Sequence, residues 1–122
     1  MARILIVDDA AFMRGSLKFI VEQAGHEVVG AAKDGKEALA LYATLKPDLV
    51  TMDILMREMD GLSALQAIIK QDPKAKVIMV TTLGQQEKQE TAGSFGASGY
   101  IRKPFKQSEI LEEISRVLAK EE

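Results

Sequence analysis

A few places in this 122-residue chain carry side chains able to do chemistry. Asp8 and Asp9 follow the apolar run ILIV. Asp53 follows LVTM, Thr81 and Thr82 follow VIMV, and Lys103 follows GYIR. Adjacent carboxylates repel each other unless a cation relieves them. Hard oxygen donors suit Mg²⁺, which typically takes one or two carboxylates and keeps several waters and a phosphate oxygen. A carboxylate beside such a metal, as Asp53 would be, can attack phosphorus and form an acyl phosphate. The Thr81 hydroxyl can donate to a phosphoryl oxygen, and the Lys103 ammonium can place a point charge on it. Taken singly, each residue has a plain structural reading. Asp8-Asp9 would be a helix N-cap and first-turn acid, Asp53 a turn-starting residue, Thr81 a β-former at a strand end and Lys103 a solvated cation. Taken together they suit phosphoryl transfer, where catalysis is mostly positioning and charge neutralisation.

The elements that must position them can be read from the apolar pattern. Arg3–Val7, Glu27–Ala31, Leu49–Met52, Val77–Val80 and Gly99–Ile101 are predicted strands. Ala11–Ala24 is predicted as a helix, with Phe12, Leu17, Ile20, Val21 and Ala24 at helical spacing and Gly25 as its stop. Further helices are predicted at Lys36–Leu45, Leu62–Lys70, Gln85–Phe95 and Ser108–Leu118. Continuous apolar strands separated by helices imply an α/β fold. The expected architecture is a doubly wound five-stranded parallel sheet with helices on both faces. Ligands of such sheets bind at the carboxyl ends of the strands. The three carboxylates, the hydroxyl and the ammonium are therefore expected on one rim.

Composition narrows the class. Hydrophobic residues make up 47% and charged residues 28%, a globular balance. The net charge of −2 and the lack of a Lys/Arg run give no reason to expect nucleic acid or an anionic membrane as a partner. Without cysteine, disulfides, thiolate metal sites and cysteine nucleophiles are excluded. MARILIVDD reaches two acids too early for a secretory signal, and no apolar run is long enough to span a bilayer. The expectation is one cytoplasmic domain over residues 1–122.

The segments ILIVDD (Ile4–Asp9), DLVTMDI (Asp48–Ile54), EMDG (Glu58–Gly61), VTT (Val80–Thr82) and GYIRKPF (Gly99–Phe105) resemble those of receiver domains of bacterial two-component response regulators. AAFMR after VDD, VTMDI and LGQQ are most similar to stand-alone chemotaxis regulators of the CheY type. The resemblance implies the flavodoxin-like strand order 2-1-3-4-5, already known for flavodoxin and CheY themselves. It implies Asp53 as the phosphoacceptor, and Asp8, Asp9 and Asp53 as Mg²⁺ ligands helped by the backbone carbonyl of Leu55. Thr81 and Tyr100 match the switch hydroxyl and switch aromatic. Lys103 matches the lysine of the motif, with a cis bond to Pro104. The implied partners are a CheA-like histidine kinase, a flagellar switch protein or other output target, and a possible phosphatase. The protein would be a monomeric phosphoacceptor regulator rather than an enzyme, with self-catalysed phosphotransfer and dephosphorylation. Phosphorylation would shift populations and change the affinity of the face built by the fourth helix, fifth strand and fifth helix. A phosphorelay shuttle and the isolated receiver of a larger regulator are alternatives within the family.

Rivals of other classes fare worse. A flavodoxin-like electron carrier needs a Ser/Thr/Gly-rich phosphate loop after the first strand, where DDAAFM supplies two repelling acids. A phosphohydrolase of the Asp-x-Asp type lacks its second acid, since Asp53 is followed by Ile54 and Leu55.

The chain also departs from the family pattern. Arg57 stands where Pro is usual, adding charge and a backbone N–H to the loop after Asp53. Thr82 replaces a usual Ala. Leu55 cannot hydrogen-bond an attacking water, which predicts slow self-dephosphorylation. No apolar residue occurs from Gly84 to Thr91, and Gly93 falls within the predicted helix, so that helix is expected to be marginal and mobile. Glu58 is expected to be a solvated loop acid and Asp60 a helix cap. His26 is expected to be a surface or turn residue, and the methionines to serve packing.

Overall fold

The computed structural model describes residues 2–82 and 86–120. Strands β1 (Arg3–Val7), β2 (Glu27–Ala32), β3 (Leu49–Met52), β4 (Val77–Thr81) and β5 (Gly99–Arg102) alternate with helices α1 (Ala11–Gln23), α2 (Gly35–Leu45), α3 (Gly61–Gln71), α4 (Gln86–Ser94) and α5 (Gln107–Ala119). The strands form one sheet in the order β2-β1-β3-β4-β5, and every pairing is parallel. The expected fold class and strand order are both met.

Strand side chains alternate between faces, and here both faces are covered. Leu5, Val7, Val50, Met52, Val77 and Met79 face a core shared with Ala38 and Tyr42 of α2 and Leu65 and Ile68 of α3. Ile4, Ile6, Leu49, Ile78 and Val80 face a second core with Leu17, Ile20 and Val21 of α1 and Ile110, Ile114 and Val117 of α5. This double burial is why the strands read as unbroken apolar runs rather than alternating ones.

Two residues predicted inside α1 lie outside. Phe12 is 84% exposed, and Ala24 is also exposed. Phe12 precedes Val21 by nine residues, about two and a half helical turns, which places it on the opposite side of the helix. Met13 packs inward instead. The helix stops at Gln23 because the N–H groups of Ala24 and Gly25 bond back to Val21 and Glu22, with Gly25 at φ 95. Elsewhere the predicted bounds shift by a residue or so. The shifts that matter bring Thr81 into β4 and Arg102 into β5 as their last residues.

In α4, Ala92 is buried and packs on the first core, while Gln89, Glu90, Gly93 and Ser94 are exposed. The predicted helix start at Gln85 lies outside the described residues, as do most of the LGQQ segment and the last two residues of the chain.

Candidate functional site

The carboxyl ends of β1, β3, β4 and β5 meet at one rim. Asp8 leaves β1 with its N–H bonded to the Ala32 carbonyl of β2 (3.0 Å), and its side chain is buried. One carboxylate oxygen, Oδ1, accepts from the Ala10 N–H (2.9 Å). The other, Oδ2, accepts from Lys103 Nζ at 2.8 Å. The helix-cap reading of Asp8-Asp9 is thereby corrected. The cap of α1 is Ala10, with no side-chain cap bond and no acid in the first turn. The Asp8 carboxylate is used across the sheet rather than along the helix. Asp9 is exposed beside it.

Asp53 leaves β3 with its N–H bonded to the Val7 carbonyl (3.0 Å). Its side chain is only 10% exposed, and Oδ2 lies 3.5 Å from Lys103 Nζ. The Thr81 hydroxyl also hydrogen-bonds it, and Thr81 is fully buried at the end of β4. Burial pushes the Asp53 carboxyl above the ordinary aspartate range, and the charge of Asp8 adds to this. Lys103, Thr81 and a backbone bond from Ile54 pull the other way. The Lys103 side chain is 12% exposed, so it is no solvated surface lysine. Its backbone N–H bonds to the Thr81 carbonyl (2.8 Å), and its peptide bond to Pro104 is cis.

The loop after β3 is held tightly where it leaves Asp53. Gly61 N–H bonds to the Ile54 carbonyl (2.7 Å), and a Cβ at Gly61 would collide with the Asp53 carbonyl. Only glycine allows this close approach. Asp60 caps α3 as expected, accepting from the Ser63 N–H (2.8 Å). Glu58 is exposed, as expected, but with a left-handed backbone (φ 57). Leu55 is 56% exposed. Tyr100 is half-buried on β5, and burial raises its phenol pKa.

Asp8, Asp9 and Asp53 each offer an oxygen, and these oxygens all lie within 4.8 Å of one another. The donors are all hard carboxylate oxygens, and Lys103 supplies a single positive charge against three negative ones. Charge excess and donor type both fit a hard divalent cation.

Some contributors were missed from sequence. Arg14 donates to the Asp8 carbonyl (2.8 Å), a backbone target that leaves no trace in residue types. Asp34 is buried and caps α2 through the Glu37 N–H (2.9 Å), while Glu37 accepts from the Lys33 N–H (2.9 Å). The spacing Asp34-x-x-Glu37 was the signal that could have found it.

Comparison with known proteins decides what this rim belongs to. The response regulator receiver domain family matches residues 4–115. The chain belongs to that family. The receiver is 50% identical over 115 residues to the chemotaxis protein CheY of Thermotoga maritima, covering 94% of this chain and 96% of the relative. It superposes with a TM-score of 0.95 on a chain of the CheX-CheY-BeF3-Mg complex from Borrelia burgdorferi. Identity there is 34%, over 97% of this chain and 90% of that one. The response regulator domain of Thermotoga maritima CheB gives a TM-score of 0.90 at 39% identity, over 98% of both chains. This receiver is thus a signalling component of a two-component system, similar to the CheY chemotaxis regulators. Among its described residues no helix is long and apolar enough to cross a membrane.

Proposed function

We propose that residues 1–122 form a single receiver domain that accepts a phosphoryl group on Asp53 and acts as a CheY-type chemotaxis regulator. The observation that carries this reading is the shared lysine: Lys103 Nζ reaches both Asp8 (2.8 Å) and Asp53 (3.5 Å) while the Thr81 hydroxyl binds the same Asp53 carboxylate. A buried carboxylate thus has a fixed cation and a fixed donor beside it. Both are placed to take up charge when phosphorus is attacked.

The residues that would hold Mg²⁺ are Asp8, Asp9 and Asp53, with the Leu55 carbonyl completing the protein ligands. When bound, the ion supplies charge neutralisation for the incoming phosphoryl oxygens. An Asp53 Oδ attacks the donor's phosphorus and becomes the acyl phosphate oxygen, while the bond from phosphorus to the donor's leaving group breaks and that group departs with the electron pair. Lys103 balances the charge gained, and Thr81 turns its hydroxyl toward the phosphoryl group. Tyr100, on the neighbouring strand, follows as the switch aromatic. The protein works as a cytoplasmic, monomeric phosphoacceptor rather than an enzyme with a separate substrate.

The donor is a CheA-like histidine kinase and the output target is the flagellar switch protein. The similar Borrelia burgdorferi structure is a complex of CheY with CheX, which supports a further protein partner for this receiver, proposed here to be a phosphatase. The deciding experiment is incubation with Mg²⁺ and a small acyl phosphate, read by intact mass. The expected result is a gain of one phosphoryl group that disappears in Asp53→Asn. A gain that survives in that variant would refute Asp53 as the acceptor.

A further inference from the structure

Arg57 has no committed partner among the described residues. Among the described residues its guanidinium makes no ion pair or side-chain hydrogen bond. Yet it lines, with Asp9, Lys33, Asp34 and Glu58, a cleft of about 310 Å³. Two of the other charges of that cleft are occupied, while Glu58 makes no ion pair among the described residues. Asp34 caps α2, and Lys33 pairs with Glu37 at 3.8 Å. Asp9 belongs to the carboxylate group beside Asp53, so the cleft borders the proposed phosphoacceptor site through that residue. The left-handed Glu58 turns the chain immediately after Arg57, and both residues face the same space.

We propose that Arg57 is a specificity-determining residue that engages the anionic phosphodonor as it approaches Asp53. The inference rests on the phosphoacceptor reading of that aspartate. An uncommitted guanidinium offers a planar fork that matches phosphate or carboxylate oxygens two at a time. Proline, usual in the family at this place, offers neither charge nor donor. With an acyl phosphate the bond from phosphorus to the acyl oxygen breaks, and the carboxylate leaves with the electron pair. The new bond forms to the Asp53 carboxylate oxygen. Arg57 holds the donor and its departing carboxylate and touches none of the atoms that exchange bonds at Asp53. A donor with more negative charge gains most from it.

The test compares acetyl phosphate, a dianion at neutral pH, with phosphoramidate, a monoanion, in the presence of Mg²⁺. Second-order rate constants for phosphoryl incorporation are read by intact mass for wild type, Arg57→Ala and Arg57→Lys. Arg57 is exposed, so the variants are expected to fold, which circular dichroism checks. In Arg57→Ala the preference for acetyl phosphate should fall about three- to tenfold, with a flatter dependence on salt. Arg57→Lys should keep part of the preference. An unchanged preference, or equal loss with both donors, would overturn the proposal. A second measurement stands apart from phosphorylation: orthophosphate is titrated into the protein while the Arg57 Nε–H resonance is followed. A saturable shift supports donor binding by Arg57 even if neither donor labels wild-type Asp53, an outcome that would defeat the phosphoacceptor reading alone. No shift overturns the role of Arg57.

Discussion

Replacing Asp53 by asparagine should make the metal-free protein more stable, because three opposing effects at this carboxylate do not cancel. Lys103 Nζ lies 3.5 Å from Asp53, and at an effective dielectric of about 20 such a pair attracts by about 5 kcal/mol. Asp8 presents an oxygen within 4.8 Å, where the same dielectric gives a repulsion of about 3–4 kcal/mol. Withdrawing the carboxylate from water costs several kcal/mol more. The attraction is outweighed, in keeping with an Asp53 carboxyl that holds its proton more readily than usual, chiefly through burial. A carboxyl raised in the folded state stabilises below its unfolded pKa, and that contribution is lost as pH rises through the folded value. At pH 7.5 the ionised group is therefore a net burden.

Asp53→Asn is expected to gain about 1–2 kcal/mol at pH 7.5 in EDTA, within the usual range for single substitutions, as an incompletely compensated buried charge is relieved. For a chain of this size each kcal/mol moves Tm by roughly 3–6 °C. Urea melts followed by circular dichroism measure the difference. The gain should shrink as pH is lowered through the raised folded value, where the wild-type carboxyl takes up its proton. Added Mg²⁺ should stabilise wild type more than the variant, because the variant loses an anionic ligand. A less stable variant in EDTA, or a gain that persists unchanged at low pH, would refute the balance drawn from these distances.

Other substitutions test separate parts of the molecule. Gly61→Ala should lose more than about 3 kcal/mol, since the new Cβ meets the Asp53 carbonyl with no room to move; a near-neutral denaturation midpoint would contradict it. Gly93→Ala should gain about 0.5–1 kcal/mol, because Gly93 lies inside α4 with nothing within 4 Å of an added Cβ. Amide exchange in α4 should slow in that variant and be fast in wild type; strong wild-type protection would remove the idea that this helix is marginal. Leu55→Asn should shorten the lifetime of phosphorylated Asp53 several-fold, as a polar side chain replaces a half-exposed leucine unable to orient water; equal lifetimes would sink it. His26 accepts the Ala2 N–H on Nδ1 (3.1 Å), and burial lowers its pKa. Its stabilising contribution is present above the unfolded pKa near 6.5 and is lost as pH falls through the lower folded value. His26→Asn keeps an acceptor without titrating, so the stability slope between pH 7.5 and 5.5 should flatten; identical slopes would count against this.

The ends of β1 and β3 were legible because Asp8 and Asp53 are the first charged residues after buried runs, and Thr81 closes the run VIMV, whereas Lys103 stands behind Arg102 and is marked less sharply. What could not be read was which group meets which. Sequence assigned Lys103 a role toward the phosphoryl group but not its carboxylate partners, Asp8 at 2.8 Å and Asp53 at 3.5 Å. The plain reading of Asp8-Asp9 as a helix cap failed because the chain runs on through Asp9 and Ala10 before α1 begins, which carries both carboxylates out of capping reach. Phe12 was misplaced because helical spacing was counted from the whole apolar set. The first turn of α1 presents Met13, not Phe12, to the sheet. The left-handed Glu58 carries no signal at all, since glutamate has no special preference for positive φ.

The same contacts explain how an event at Asp53 can reach a distant face. Thr81 binds Asp53 through its side chain and Lys103 through its backbone carbonyl, so β4 and β5 share one hydrogen-bonded end at the site. Farther back along β5, the Tyr100 N–H is held by Glu113 of α5 (3.1 Å), and Arg116 grips both Glu113 (2.8 Å) and the Ser98 carbonyl (2.9 Å). Gly99 makes room for that grip, because a Cβ there would strike the Glu113 carboxylate. The Arg116 hydrogen bond keeps the Glu113 carboxyl below the usual glutamate range, so the grip is charged at neutral pH. A strand fixed by side chains of α5 at one end and by the partners of Asp53, the proposed phosphoacceptor, at the other cannot shift at the site without loading α5. The fully buried Thr81 and the half-buried Tyr100 lie along that line, which supports the proposed switch role of this pair on adjacent strands.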